Sequence, residues 1–236
     1  MLNIKLWTKI KILFLFFFYL FQNKKKIASF FIFVIKNYKI SHSQIFQDLF
    51  VYFFSNKKRN GFFLEIGAAD GINISNTYLL EKKFNWNGIL CEPNPIHKTK
   101  ILKNRRSILN TNIIDSKTSI KKIFYIHYNN FNSSLNKIKK FHNKISLKTI
   151  SLNSLLKKYQ CPKIIDYISI DTEGNEFNIL KNYNFKKYMV KIFSIEHNFD
   201  TSNRKKIFKL MEKNNYKRIL KSISFMDDWY IHEDFI

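Results

Sequence analysis

The acidic residues of this chain are few and gathered. Of 17 Asp and Glu, set against 41 Lys and Arg, nine fall at or beside the ends of expected strands: Glu65, Asp70, Glu92, Asp115, Asp166, Asp171, Glu173, Glu176 and Glu196. A chain biased toward lysine keeps acids where they are needed, and the strand ends of an open α/β sheet are where ligands bind. The sharpest stretch is FFLEIGAADG, residues 62–71, where an apolar run closes on Glu65 and the chain turns through Gly67, Ala69 and Gly71. Small residues let the backbone come close to a ligand, and N–H groups at such a turn can hold its polar atoms. A nicotinamide-binding loop would carry GxGxxG. Here the pattern is GxAxG with an acid two residues ahead of the first glycine, which suits a ligand with positive charge, such as the amino and sulfonium groups of S-adenosylmethionine.

Glu92 closes the next expected strand, 27 residues after Glu65. A doubly wound fold places a carboxylate there to accept both hydroxyls of a ribose; the alternative is an acid serving the helix that follows Pro93. Asp115, past the third strand, is either a contact for an adenine amino group or a plain loop turn. In IDYISIDTEGNEFNIL (165–180), Asp171, Glu173 and Glu176 crowd a strand tip and the first turn of a helix. Acids that close repel one another unless a cation, a helix N-terminus or an acid–base task stabilises them. Glu196 and His197 should fall beside them on the neighbouring tip. A histidine among carboxylates is a candidate general base, and Asp171 with Glu173 is a candidate holder of Mg²⁺. For Glu176 a helix-capping role is the better reading.

The elements that position these residues can be read from periodicity. Ser43–Phe54 has helical spacing with Ser43 as a candidate N-cap, Gly61–Ile66 is a buried strand, and Asn76–Phe84 is the helix after the turn. Gly88–Cys91 is the second strand, followed by a helix over 96–104. The polar stretch 104–148 is expected to hold a strand at Ser107–Ile114, another at Ile123–Tyr128 and a loop at Asn129–Leu135. Ser151–Tyr159 then reads as a helix, Ile164–Ile170 as a strand, Glu176–Tyr183 as a helix, Val190–Ile195 as a strand and Arg204–Asn214 as a helix. Tyr216–Leu220 and Trp229–His232 form a closing hairpin. Strands alternating with helices predict a doubly wound, mostly parallel α/β sheet.

The formal charge is +24, and Lys, Asn, Ile and Phe are abundant together, as a coding bias would produce. No arginine-rich stripe or aromatic-interleaved groove accompanies that charge, so nucleic acid is not the expected partner. Cys91 and Cys161 lack CxxC spacing and give neither a disulfide framework nor a zinc site, which suits a cytoplasmic chain. Residues 1–40 carry eight lysines and no acid. Two apolar runs, Ile12–Phe21 and Ile27–Ile35, are each about ten residues, short of the roughly 20 that span a bilayer. They read as an anchor lying on the cytoplasmic face of a membrane, or else as a helix docked on the domain that begins at residue 41 and runs to 236.

Taken in order, SQIFQDLFV (43–51), FLEIGAADGINISNTYLLEK (63–82), GILCEPNP (88–95), TISLNSLL (149–156), DYISIDTEGNEFNIL (166–180) and IEHN (195–198) resemble the FkbM family of methyltransferases, a branch of the class I S-adenosylmethionine-dependent enzymes. The resemblance implies a seven-stranded sheet of Rossmann-like type with only the last strand antiparallel. It also implies methyl transfer to a hydroxyl of a sugar, glycan, lipid-linked or polyketide-type acceptor. By position it puts Glu65, Gly67, Ala69 and Gly71 at the methionine end of the cofactor and Glu92 at its ribose. Asp171 and Glu173 then stand at the tip facing the acceptor, with Glu196 and His197 at the second tip. Gln44 and Asp48 match the family's N-terminal lid and become candidate cofactor contacts; the stretch Asn110–Asp115 departs from the pattern. The expected chemistry is attack by an acceptor hydroxyl, with His197 or Asp171 as base. Two rivals are a membrane-associated binding module that kept the fold and lost catalysis, and a nicotinamide-dependent oxidoreductase.

Overall fold

Runs of branched and aromatic residues long enough for one strand, each bounded by a turn, build a sheet buried on both faces. The computed structural model describes residues 25–129, 131, 133–135 and 141–236. Its main sheet contains β1 (Phe62–Ile66), β2 (Asn87–Cys91), β3 (Ile108–Asn110), β7 (Ile164–Ile170), β8 (Met189–Glu196), β9 (Tyr216–Ile219) and β10 (Asp227–His232). They lie in the order β3-β2-β1-β7-β8-β10-β9. The first five pair in parallel, and β10 runs antiparallel to both β8 and β9. Six strands therefore share one direction and β10, the last, opposes them, as expected. Strand order reverses between β1 and β7, which opens a crevice beyond their carboxyl ends.

Adjacent residues of each strand go to opposite faces. Phe63, Leu90, Ile192 and Trp229 bury in one hydrophobic cluster, while Leu64, Ile89, Phe193 and Tyr230 bury in the other. The strands also need close approach: a side chain on Gly88 would run into the carbonyl of Phe63 on β1. The first face is covered by α1 (Lys25–Asn37), α2 (Gln47–Phe54) and α3 (Tyr78–Phe84), the second by α5 (Leu152–Lys158), α6 (Glu176–Leu180) and α7 (Thr201–Lys213). Between them in sequence, α4 (Pro95–Asn104) starts at Asn94, whose side chain accepts from the Ile96 N–H.

Three details differ from the sequence reading. The expected strand over 107–114 is two strands in two sheets: after β3 the chain crosses to β4 (Ile113–Asp115), which pairs with β6 (Phe141–Ser151). β6 also pairs antiparallel with β5 (Lys121–His127), completing a three-stranded second sheet, β4-β6-β5. β6 has no counterpart in the sequence reading, because most of FHNKISLKTIS is solvent-facing and its apolar positions are diluted by polar ones. Finally, Ser43 does not cap α2. The N-cap is Phe46, in the left-handed region at φ 71°, and the Ser43 hydroxyl donates to Asp48 instead.

The second N-terminal apolar run is the docked helix α1. Ala28, Phe30, Phe31 and Val34 are buried on it, with the Phe30 ring 6.1 Å from that of Phe50 and 5.5 Å from that of Phe54. The first run, Ile12–Phe21, lies outside the described residues. Among the described residues no helix is long and apolar enough to cross a membrane.

Candidate functional site

The turn after β1 is shaped by what it must touch. Gly67 has φ 88°, and a Cβ there would collide with the carbonyl oxygen of Asp171, because the tips of β1 and β7 are knitted together. The Asp171 N–H donates to Ile66 O at 2.9 Å, and the N–H groups of Gly67 and Ala68 donate to Cys91 O at 3.0 and 3.3 Å. Ala69, at φ 45°, carries its N–H onto Glu92 Oε2 at 2.8 Å, and the other oxygen of Glu92 accepts from the Asn94 N–H at 2.8 Å. One carboxylate thus latches the glycine turn to the start of α4. Burial pushes the Glu92 carboxyl up to about 8, against the pull of those two N–H groups.

Glu65 organises the far wall of the turn. It accepts from the hydroxyls of Ser75 and Thr77 and from the Asn76 N–H, with Arg105 at 3.7 Å. Burial raises its carboxyl, and Arg105 with the hydrogen bonds opposes the rise. Asp70 is spent on the loop itself, accepting from the N–H groups of Ile72 and Asn73 and from Lys100. Gly71 gives its carbonyl to Arg105.

Two adjoining clefts open on this framework. The first, of about 580 Å³, is an apolar slot between Ile66, Ile113, Ile114, Phe124 and Leu135, with Glu92 at its edge. The second, of about 770 Å³, is polar, and Gln44, Glu65, Asn76, Asp171, Glu173 and Glu196 are among its lining residues. Gly67, Ala69, Phe131, Asp171 and Glu173 line both. A flat base beside a ribose suits the slot, and a charged, flexible chain suits the polar cleft. Asn76 Oδ1, buried in the wall of that second cleft, has no hydrogen-bond partner among the described residues.

The acids at the polar end raise one another's proton affinity. Asp171 sits well above the ordinary carboxylate range through burial first, then the charges of Asp227 and Glu173. Glu196, within hydrogen-bond reach of Asp171, is raised by burial and by Asp171 itself. Glu173 is raised by burial and by Glu176, while His127 pulls it back. Its Oε2 accepts from Asn198 Nδ2 at 3.2 Å. Glu176 closes its own loop, accepting from the N–H groups of Thr172 and Gly174; these are structural hydrogen bonds, as expected, but to the loop before the helix and not to the helix as an N-cap.

Other expected contacts are turned elsewhere. Asp115 lines neither cleft; it is paired with Lys122 at 2.5 Å and accepts from the Ser116 N–H, while its neighbours Ile113 and Ile114 form the slot. Asp48 is buried beneath the 41–43 loop, accepting from the Ser41 and Ser43 hydroxyls and the His42 N–H, whereas Gln44 does reach the polar cleft. His197 lines neither cleft. Its Nδ1 accepts from the Phe199 N–H and its Nε2 lies 4.0 Å from Asp228, which is itself gripped by Arg204 and Arg218. Burial lowers the imidazole's proton affinity, with Asp228 opposing. Asp171, the other base candidate, lines both clefts.

The sequence reading missed Asp227. It is buried behind Asp171, bonded by Gln47 Nε2 at 2.8 Å, and pushed up to about 7 by burial. An Asp-Asp pair at the start of an otherwise apolar strand, in a lysine-rich chain, was the available signal. Phe131 and the 73–76 wall were not legible as site elements, because only the folded chain brings them to the turn.

The profile of the methyltransferase FkbM domain matches residues 65–218. No curated protein matches the chain. Among solved structures, one described as the delta-N METTL16 MTase domain is 10% identical over 80% of this chain and 82% of its own, with a TM-score of 0.44. The precorrin-6y C5,15-methyltransferase of Geobacter metallireducens GS-15 is 9% identical over 78% and 85%, TM-score 0.42. A human methyltransferase 10 domain containing protein is 11% identical over 79% and 80%, TM-score 0.42.

Proposed function

The chain belongs to the FkbM family of S-adenosylmethionine-dependent methyltransferases, and from that premise we propose that its methyl acceptor is a hydroxyl of an uncharged sugar, glycan or lipid-linked molecule. The observation that carries this reading is the acid-lined polar cleft joined to the apolar slot at Gly67 and Ala69. No lysine or arginine is among the described residues lining that cleft to hold a phosphate or a nucleic-acid backbone, although the chain as a whole carries +24. A neutral polyol needs none and finds carboxyl and amide groups for its hydroxyls.

When bound, S-adenosylmethionine supplies a methyl group made electrophilic by its sulfonium. Glu92 is the residue to accept the ribose hydroxyls, and Ile113, Ile114 and Phe124 are those to cover the adenine. Gly67 and Ala69 leave room beside the turn for the methionine portion. Asp171 is assigned as base: its raised proton affinity matches a hydroxyl better than an ordinary carboxylate does. Glu196, the protonated partner, donates to the ionised Asp171, and the proton taken from the acceptor oxygen ends on the Asp171 carboxylate. Asp171→Asn is expected to lower turnover about 10²–10⁴-fold while S-adenosylhomocysteine still raises the melting temperature. Unchanged turnover in that variant would remove Asp171 from this role. NAD is expected to leave the melting temperature unmoved; stabilisation by NAD instead of S-adenosylhomocysteine would favour an oxidoreductase, and intact cofactor binding with no turnover on any acceptor would favour a binding module.

We further assign the chain to the cytoplasmic face of a membrane, with the run Ile12–Phe21 and the adjoining lysines on anionic headgroups. Co-sedimentation with anionic vesicles, lost on removal of residues 1–24, is the expected result; retention by the shortened chain would count against it.

A further inference from the structure

Several buried carboxylates of this chain are held by bases, and others, Asp48, Glu92, Glu176 and Asp227, by N–H or O–H donors alone. Asp70 is paired with Lys100, Glu81 with Arg105, Asp115 with Lys122, Asp166 with Lys58 and Lys191, and Asp228 with Arg204 and Arg218. Asp171, Glu173 and Glu196 also lack a base, and they stand together. One oxygen of each lies within 4.8 Å of the others. Among the described residues none of the three forms an ion pair, in a chain with 41 Lys and Arg.

A second observation is independent of the clustering. Glu196 is 5% exposed and lines the polar cleft, yet its Oε2 has no hydrogen-bond partner among the described residues. A buried acceptor left bare costs about 1–3 kcal/mol, and more when charged. Every other carboxylate oxygen buried to that degree among the described residues has a donor; this one is buried beside two more acids, on a residue that lines the cleft. A cation seated among the three would satisfy Glu196 and cancel their mutual repulsion together.

We propose that Asp171, Glu173 and Glu196 bind one hard divalent cation, Mg²⁺ or Mn²⁺, in the polar cleft. The donors are all oxygen, the set such ions prefer, and both cysteines are buried elsewhere, so no soft ligand competes for a different metal. The sheet fixes the spacing of the ligands: Ile170 and Ile195 are paired neighbours on β7 and β8, and the three acids follow directly from those strand tips. Such ions keep waters in part of their shell, and a hydroxyl oxygen of the acceptor can replace one. That last role rests on the methyltransferase reading; binding of the ion itself does not. The Mg²⁺ site expected on Asp171 and Glu173 thereby gains Glu196 as a third ligand.

The test uses the full chain. Mn²⁺ is titrated in and its free concentration followed by electron paramagnetic resonance, with and without S-adenosylhomocysteine, whose own binding is read by calorimetry on the same samples. One Mn²⁺ per chain is expected, with a dissociation constant of about 1 mM or below, displaced by Mg²⁺ and weakened about tenfold or more by Glu196→Gln. Glu173→Gln, at a more exposed position, should weaken Mn²⁺ in the same way and covers the case of a Glu196 variant that does not fold. No Mn²⁺ bound at millimolar concentration, or equal affinity in the wild type and a folded Gln variant, overturns the cation site. If S-adenosylhomocysteine binds in that experiment, the methyltransferase reading survives the loss; if it fails to bind, that reading falls, and the Mn²⁺ titration still decides the site on its own.

Discussion

Glu92 is a carboxyl that burial holds near 8, placed where a ribose would bring two hydroxyl donors. In the free protein at pH 7 it is mostly protonated, and a protonated carboxyl accepts those hydroxyls poorly. Binding of a ribose-bearing ligand should therefore drive the proton off. The expected outcome is release of most of one proton per S-adenosylhomocysteine bound at pH 7, read as a difference in calorimetric heat between buffers of unlike ionisation enthalpy. Affinity should rise with pH until about 8 and level off above it. Glu92→Gln should abolish the release and weaken binding about 10–100-fold, the worth of hydrogen bonds to a charged acceptor. Binding without proton release would mean that Glu92 serves only the turn it latches. The position of this residue was legible because strand spacing alone puts it at a carboxyl edge. The direction of a side chain at a strand tip is another matter. Asp115 and His197 stand at tips as Glu92 does, yet Lys122 draws one away from the slot, and the Asp228 side of the sheet takes the other. Both partners come from chain segments whose proximity no local pattern encodes.

Among the elements, the parallel strands and most of the helices were legible, since a strand buried on both faces must be apolar along its length. The second sheet was not. β6 alternates lysine and asparagine with isolated Ile and Leu, and it is a strand because β5 pairs with it over seven residues, not because of its own pattern. The choice between anchor and docked helix for 25–37 was also closed to the sequence, since Phe30, Phe31 and Phe33 would serve either. The structure turns Phe31 fully inward, at 0% exposed. Phe31→Ala is accordingly expected to cost about 3–5 kcal/mol in urea unfolding, while Lys36→Ala on the outer face should change stability by less than about 0.5 kcal/mol. Indistinguishable midpoints for the two variants would mean that α1 does not belong to the folded domain in solution.

Over the whole molecule, the odd feature is a basic protein whose interior holds unpaired acids. Glu92 and Asp227 have folded-state values of about 8 and about 7, against ordinary values of 4.5 and 3.8, and Asp171 and Glu196 are raised as well. A raised value means that the folded state binds the proton more tightly than the unfolded chain. The stability each contributes is full below its unfolded value and is lost as pH climbs through its folded value. His197 works the other way, its lowered value withdrawing stability as pH falls below about 6.5, but it is one group against six once Glu65 and Glu173, also raised, are counted. Asp70, Glu81, Asp115 and Asp166 are lowered, and their contribution is lost only on acidification below the ordinary carboxylate range. Self-repulsion from the net charge of +24 grows as the six histidines and then the carboxylates protonate, and salt screens it. Between pH 5 and 8 the raised acids therefore decide the sign. The melting temperature of the ligand-free protein is expected to fall across that window by several degrees, at about 2–4 °C per kcal/mol for a chain of this size. Because Glu92 must shed its proton to hold a ribose, the stabilisation given by S-adenosylhomocysteine should widen over the same interval. Thermal scans at 0.15 and 0.5 M salt, with and without that ligand, check both slopes. A ligand-free melting temperature that rises from pH 5 to pH 8 at both salt concentrations would mean that the buried acids are ionised in the folded protein, with a counter-charge already among them.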